Sequence, residues 1–314
     1  MQPDHFSTAI SARFDSVKRS KTARLIRRMG SLRRIAALFI TFITVSELGW
    51  LPQLVKRGYY CDDRTIQRPY TGDTVSSCMI VISGFVPLFL IWLTEAIFYS
   101  PSIIEYTKPD VQVSRCSQSF LEAWHWGRKY ARGLIFKLLL VDALKIFSGE
   151  HRPHFLDTCK PDVLCEGSEF VSMFTCTNNE SQYFIRDASK SFPSGHSSMS
   201  VYEMIFMVWY LQRRVPQLRS YLALPLCQSV LVLWGIFCPL SRIIDNRHHW
   251  WDVLAGSIIG VIVAGFTCIL DCNNFKRNKS NLNATAFREH DINLISNRPK
   301  YREDNNLNNI VNSS

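Results

Sequence analysis

Apolar positions along this 314-residue chain gather into long runs instead of alternating with polar ones. Six runs approach the ~20 residues that a helix needs to cross a bilayer. They lie at about Ile35 to Val55, Cys78 to Tyr99, His125 to Phe147, Ser194 to Leu211, Tyr221 to Leu240 and Trp251 to Leu270. The pattern predicts an all-α fold, a six-span transmembrane helical bundle. Arg128, Lys129, Arg132, Lys137 and Asp142 interrupt the third run, so that span is expected to face protein. Lys137 lies eight residues inward from Lys145 and Glu203 seven inward from His196. At ~1.5 Å per residue these depths match, which predicts an ion pair between the third and fourth spans. A water-filled crevice solvating each charge separately is the alternative.

Composition changes the picture only locally. A hydrophobic share of 47% and a mean hydropathy of -0.01 fit a soluble protein on average, because polar tails dilute the apolar runs. Nine of the basic residues fall between Arg13 and Arg34, and the segments "QRRVPQLR" and "NNFKRNK" are basic on the same side of a six-span topology. Basic flanks stay cytoplasmic, so both termini are expected there, with the first span as the targeting signal and no cleavable signal peptide. Lys56, Arg57, Arg64 and Arg68 oppose that assignment without outweighing the amino-terminal cluster. The chain divides into a basic cytoplasmic tail over 1–34, a six-helix membrane domain over 35–271, and a cytoplasmic tail over 272–314 whose composition predicts disorder. Cys61, Cys159, Cys165 and Cys176 fall in outer loops, where oxidation is permitted and three pairings exist. Asn179-Glu180-Ser181 is a glycosylation sequon on the accessible side, whereas the sequons at Asn278, Asn283 and Asn312 fall in the cytoplasmic tail.

Three polar clusters converge at the outer ends of the spans: "KIFSGEHRP" from Lys145, "SFPSGHSS" from Ser191, and "SRIIDNRHHWWD" from Ser241. Lys145, Arg152 and Arg242 supply cations suited to a phosphate dianion. Pro193-Ser194-Gly195 opens a helix whose first-turn N–H groups can cradle the same anion. His248 and Asp252 are four apart and share a face on a helix, so the carboxylate can orient a nucleophilic imidazole. His249, three from Asp252, satisfies the spacing as well. His196 is placed to protonate a departing alkoxide. A zinc site from His196, His248, His249 and Asp252 is disfavoured because the arginines repel a divalent cation.

Lys145 with Arg152-Pro153, Pro193 to His196, and Ser241-Arg242 with His248 and Asp252 resemble the three-part signature of the type 2 phosphatidic acid phosphatase superfamily. "YYCDDRTIQRPYTGDTVS" and "RPHFLDTCKPD" further resemble animal lipid phosphate phosphatases, with a Wunen-like insect character, and the likeness covers about Ile35 to Leu270. The resemblance implies a metal-independent phosphatidate phosphatase without cofactors. His248 would form a phosphohistidine, Asp252 orient it, and His196 serve as acid and then base; Lys145, Arg152, Arg242, Ser194 and Gly195 would bind phosphate. It implies lipid phosphates as substrates: phosphatidate, lysophosphatidate, sphingosine 1-phosphate or ceramide 1-phosphate. Membrane lipids are the expected surroundings, a homo-oligomer is compatible, and nucleic acid has no place. The implied location is the plasma membrane, with the site extracellular or lumenal. A non-catalytic lipid-phosphate carrier and a related phosphotransferase or haloperoxidase are the competing readings. Lys137 and Glu203 belong to no part of the signature.

Overall fold

A computed structural model describes residues 57–98, 115–163, 167–215 and 222–275. The first apolar run, Cys165, the amino-terminal tail and residues 276–314 lie outside the described residues. In chain order the elements are β1 (Tyr59–Tyr60), α1 (Ser77–Phe98), α2 (Arg115–Ser148), α3 (Phe155–Cys159), β2 (Phe170–Val171), α4 (Gln182–Asp187), α5 (Gly195–Arg214), α6 (Ala223–Ile244) and α7 (Trp250–Phe266). A π turn over Thr267–Asp271 and a 3-10 turn over Asn273–Phe275 extend α7.

Each of the five apolar runs within the described residues is a helix. α1, α6 and the continuous stretch Trp250–Asp271 are long and apolar enough to cross a membrane. α2 and α5 carry charges along their length, and α5 is enclosed by α1, α2, α6 and α7, as a polar span in lipid requires. α2 begins at Arg115 and not near His125. Its early turns are kept helical by packing, since Ala123 and Trp126 enter the apolar core with Tyr130, Phe206 and Phe275.

α5 and α7 approach closely because α7 presents Gly256 and Gly260. A Cβ at Gly256 would collide with the Ser194 carbonyl, and one at Gly260 would lie 2.8 Å from the Ser198 carbonyl oxygen. Small residues four apart permit this backbone contact between membrane helices. At the opposite end, Arg214 donates to both carboxylate oxygens of Glu95, at 2.9 and 2.8 Å, and Tyr210 donates to Glu95 Oε1 at 2.8 Å. That lock ties α5 to α1.

The segments before α1 and between α2 and α5 form a cap. β1 and β2 pair antiparallel, Cys159 bonds Cys176, and Tyr59, Phe155 and Phe174 meet edge to face. Of the three pairings open to the four outer cysteines, the Cys159–Cys176 bond selects one; Cys61 is also disulfide-bonded.

The expected ion pair between Lys137 and Glu203 does not form. Both are buried, at 0% and 4% exposure. Lys137 Nζ donates to Met199 Sδ at 3.2 Å, while Glu203 accepts from Ser83 Oγ at 3.2 Å and Trp234 Nε1 at 3.3 Å. Met199, one turn before Glu203 on α5, fills the space opposite Lys137, and the Glu203 carboxylate turns toward α1 and α6 instead. Glu203 is therefore a three-helix tie. Glu203→Leu orphans the Trp234 donor and should cost ~1–3 kcal/mol, whereas Glu203→Gln keeps an acceptor and should cost clearly less. Melting of the detergent-solubilised variants decides the point: equal losses would remove the tie.

Candidate active site

The three polar clusters meet where α2 ends and where α5 and α7 begin. Ser194 is the N-cap of α5, accepting from Ser197 N, and its own N–H donates to the Asp252 carbonyl at 3.0 Å. The start of α5 is thereby fastened to the first turn of α7. A Cβ at Gly195 would lie 3.4 Å from Lys145 Nζ, so the ammonium sits directly against the opening turn. His196 follows, with Nε2 buried and without a hydrogen-bond partner.

His248 and Asp252 do not share a helix face. α7 begins at Trp250 with His249 as its N-cap, and His248 stands before it in the loop. The Asp252 carboxylate reaches back instead: Oδ2 accepts from His249 N at 2.9 Å, His249 Nδ1 at 3.3 Å and Ser191 Oγ at 2.5 Å, with His248 Nδ1 at 3.7 Å. Ser191 Oγ also lies 3.5 Å from His248 Nδ1. The two histidines face different surroundings. His249 stacks on Trp251 at 4.4 Å between centroids, with Nδ1 3.9 Å from Glu150 Oε1. His248 faces the cations, and burial followed by the Arg152 charge pushes its pKa down to about 3.

The arginines are held by carboxylates. Arg152 pairs with Asp187 at 2.7 Å, Arg242 with Asp245 at 2.7 Å and Asp73 at 2.8 Å, and Arg247 with Asp187 and Asp73 at 3.1 Å each. The result is an unbroken alternation of charge from Asp245 to Arg152. Burial alone would raise the Asp187 pKa, but Arg152, Lys145 and Arg247 bring it down to about 2. Arg247 also lies over the Tyr70 and Phe184 rings, at 5.4 and 5.5 Å. Arg247, Asp73, Asp187, Asp245, Ser191 and Glu150 escaped the sequence reading. Glu150, Ser191, Asp245 and Arg247 lie inside the three clusters, whereas Asp73 and Asp187 come from segments outside them.

Every site residue expected from the sequence falls in this cluster except Asn179, exposed on the cap. Ligand atoms of Glu150, His249 and Asp252 lie within 4.8 Å of one another and could hold a cation. Their oxygens already accept from Trp251 Nε1 at 2.7 Å and His249 N. The grouping differs from the zinc set weighed above, since Glu150 takes the place of His196 and His248.

Residues 126–275 match the family model described as the PAP2 superfamily. The chain is 30% identical to phospholipid phosphatase 1 of Rattus norvegicus over 78% of its own length and 86% of that protein's. This chain belongs to the PAP2 superfamily. It is 32% identical to phospholipid phosphatase 2 of Rattus norvegicus, over 70% of this chain and 78% of the relative. It is also 31% identical to a putative phosphatidate phosphatase of Drosophila melanogaster, over 67% of this chain and 59% of that longer protein. Insect and mammalian relatives thus stand at one distance from it. No solved structure matches.

His248 gives this PAP2 site a pH signature. Its ordinary pKa of 6.5 falls to about 3 on folding, so below pH 6.5 the unfolded chain takes up the proton first. Stability present at pH 7 is lost as the pH falls through that window, by ~2 kcal/mol at pH 5 from this group alone. His248→Asn should melt with a shallower decline between pH 7 and 5 than the native chain. Parallel declines would mean that His248 is not buried as the neutral imidazole.

Proposed function

We propose that this protein is an integral membrane lipid phosphate phosphohydrolase working through a phosphohistidine. The observation that carries the reading is the asymmetry of the two histidines around Asp252. Both lie beside the carboxylate, yet His249 stacks on Trp251 beside Glu150, whereas His248 stands in the loop before α7 within the field of Arg152 and Lys145, where a phosphate would sit. Lys145, the Gly195 turn with its Ser194 cap, and the unused N–H groups of Arg152 and Arg242 bind the phosphate. Each of these guanidiniums spends three of five N–H groups on protein acceptors. The carboxylates fix the forks without exhausting them.

In the first step the His248 Nε2 lone pair forms the N–P bond as the P–O bond to the lipid breaks. Protonated His196 delivers its proton to the leaving alkoxide. Asp252, held by Ser191 and the His249 amide, stabilises the positive charge that develops on His248. Neutral His196 then takes a proton from water, which attacks phosphorus and releases inorganic phosphate and His248. No metal enters either step. The substrates are phosphatidate, lysophosphatidate, sphingosine 1-phosphate or ceramide 1-phosphate. The site faces the extracellular or lumenal side, both termini are cytoplasmic, the plasma membrane is the expected location, and exposed Asn179 carries glycan.

Release of inorganic phosphate from phosphatidate in the presence of a chelator tests the activity; a protein that binds the lipid without releasing phosphate would be a carrier. His248→Ala should lower turnover by several orders of magnitude, while His249→Ala should keep a substantial fraction. Comparable rates in the two variants would overturn the assignment. Sidedness has its own measurement: intact cells should dephosphorylate external lysophosphatidate, and Asn179→Gln should migrate faster on a gel. Unchanged mobility with glycan on Asn283 would reverse the orientation.

A further inference from the structure

α5 and α6 touch where Gly235 meets Met204, at a distance that leaves no room for a Cβ. Toward the end opposite the polar cluster, residues of the two helices line an open groove, or wedge, of about 630 Å³. Its walls are apolar, from Met204, Ile205 and Val208 on α5 and Val232 on α6. Its far end is polar. Gln228 bridges the gap, donating to the Val208 carbonyl at 3.2 Å and to Gln212 Oε1 at 3.0 Å, and Arg213 lines the mouth.

Arg213 and Arg214 end the same helix and are used differently. Arg214 is locked into Glu95. Arg213 is exposed and has no ion pair among the described residues. It lies 18 residues beyond Gly195, hence ~27 Å along the helix from the site. In a hydrocarbon core ~30 Å thick, that is the headgroup level of the opposite leaflet.

We infer that this wedge is a binding site for one anionic glycerophospholipid of the leaflet opposite the catalytic site. An acyl chain lies along Met204, Val208 and Val232, and the anionic head meets Arg213 beside the Gln212 and Gln228 amides. Depth, polarity and charge follow one another as they do along a lipid. The assignment depends on α5 and α6 spanning the membrane and not on the phosphatase reading. A phosphodiester lipid held there is an occupant and not a substrate, because the site residues lie at the other end of the helices.

The full-length protein, purified in detergent and stripped of lipid, is titrated with dioleoylphosphatidylserine or dioleoylphosphatidylcholine, and bound lipid is counted by native mass spectrometry. The native chain should retain one phosphatidylserine in preference to phosphatidylcholine. Arg213→Gln should weaken phosphatidylserine retention ~5-fold, the weight of one cation at a membrane surface, and leave phosphatidylcholine unchanged. Val208→Trp and, from the facing helix, Val232→Trp should each reduce both by filling the wedge, with melting temperature confirming that the variants fold. Equal retention of the two lipids, or retention unaffected by Arg213→Gln, overturns the proposal. So does cysteine cross-linking that seats the stretch from Ile35 to Val55 in the wedge.

Discussion

The carboxylate of Asp252 is fully buried, and a buried charge must be met by donors or be expelled. Here Ser191 Oγ, the His249 amide and the histidine ring meet it at one oxygen. Its position at the third residue of α7 adds the favourable end of the helix dipole. The same residue's carbonyl accepts the Ser194 N–H, which ties the anion-cradling turn of α5 to the histidine loop. This linkage is possible only because Gly256, one turn further, lets the α5 backbone press against α7. The relative placement of the α5 turn and the histidine loop thus depends on a backbone contact between two helices.

A second constraint lies in the cap. Four cations near one point would repel one another and any nearby imidazolium. Asp73, Asp187 and Asp245 alternate with Arg152, Arg242 and Arg247, so the field is neutralised pair by pair while guanidinium N–H groups remain for an anion. Each carboxylate comes from a different outer segment, and the alternation therefore also fastens the cap to the bundle. Lys145 is different. Its ammonium lies directly against the Gly195 turn of α5, and its charge helps keep Asp187 ionised.

Polar groups deeper in the bundle follow the same rule with weaker partners. Lys137 is satisfied by a thioether and Glu203 by a hydroxyl and an indole. Matching depth alone could not pair them, because side-chain direction on α5 sends Met199 and Glu203 to different neighbours.

Sequence by itself marked the long helices and the polar residues that gather at one end of them. Apolar runs of this length read as helices, and Lys145, Arg152, His196, Arg242, His248 and Asp252 were legible as one polar cluster because each sits inside a compact motif with its own spacing. The start of α2 at Arg115 was not legible, since long-range packing of Trp126 extends that helix past its apolar run. Spacing also put His248 and His249 alike within reach of Asp252; only the fold separates their surroundings, with His249 stacked on Trp251 and His248 in the loop before α7. Asp73 and Asp187 lie outside the three polar clusters, more than 100 residues apart. Only the folded chain brings them onto the same arginine, because ion pairing is a property of distance in space and leaves no period along the chain.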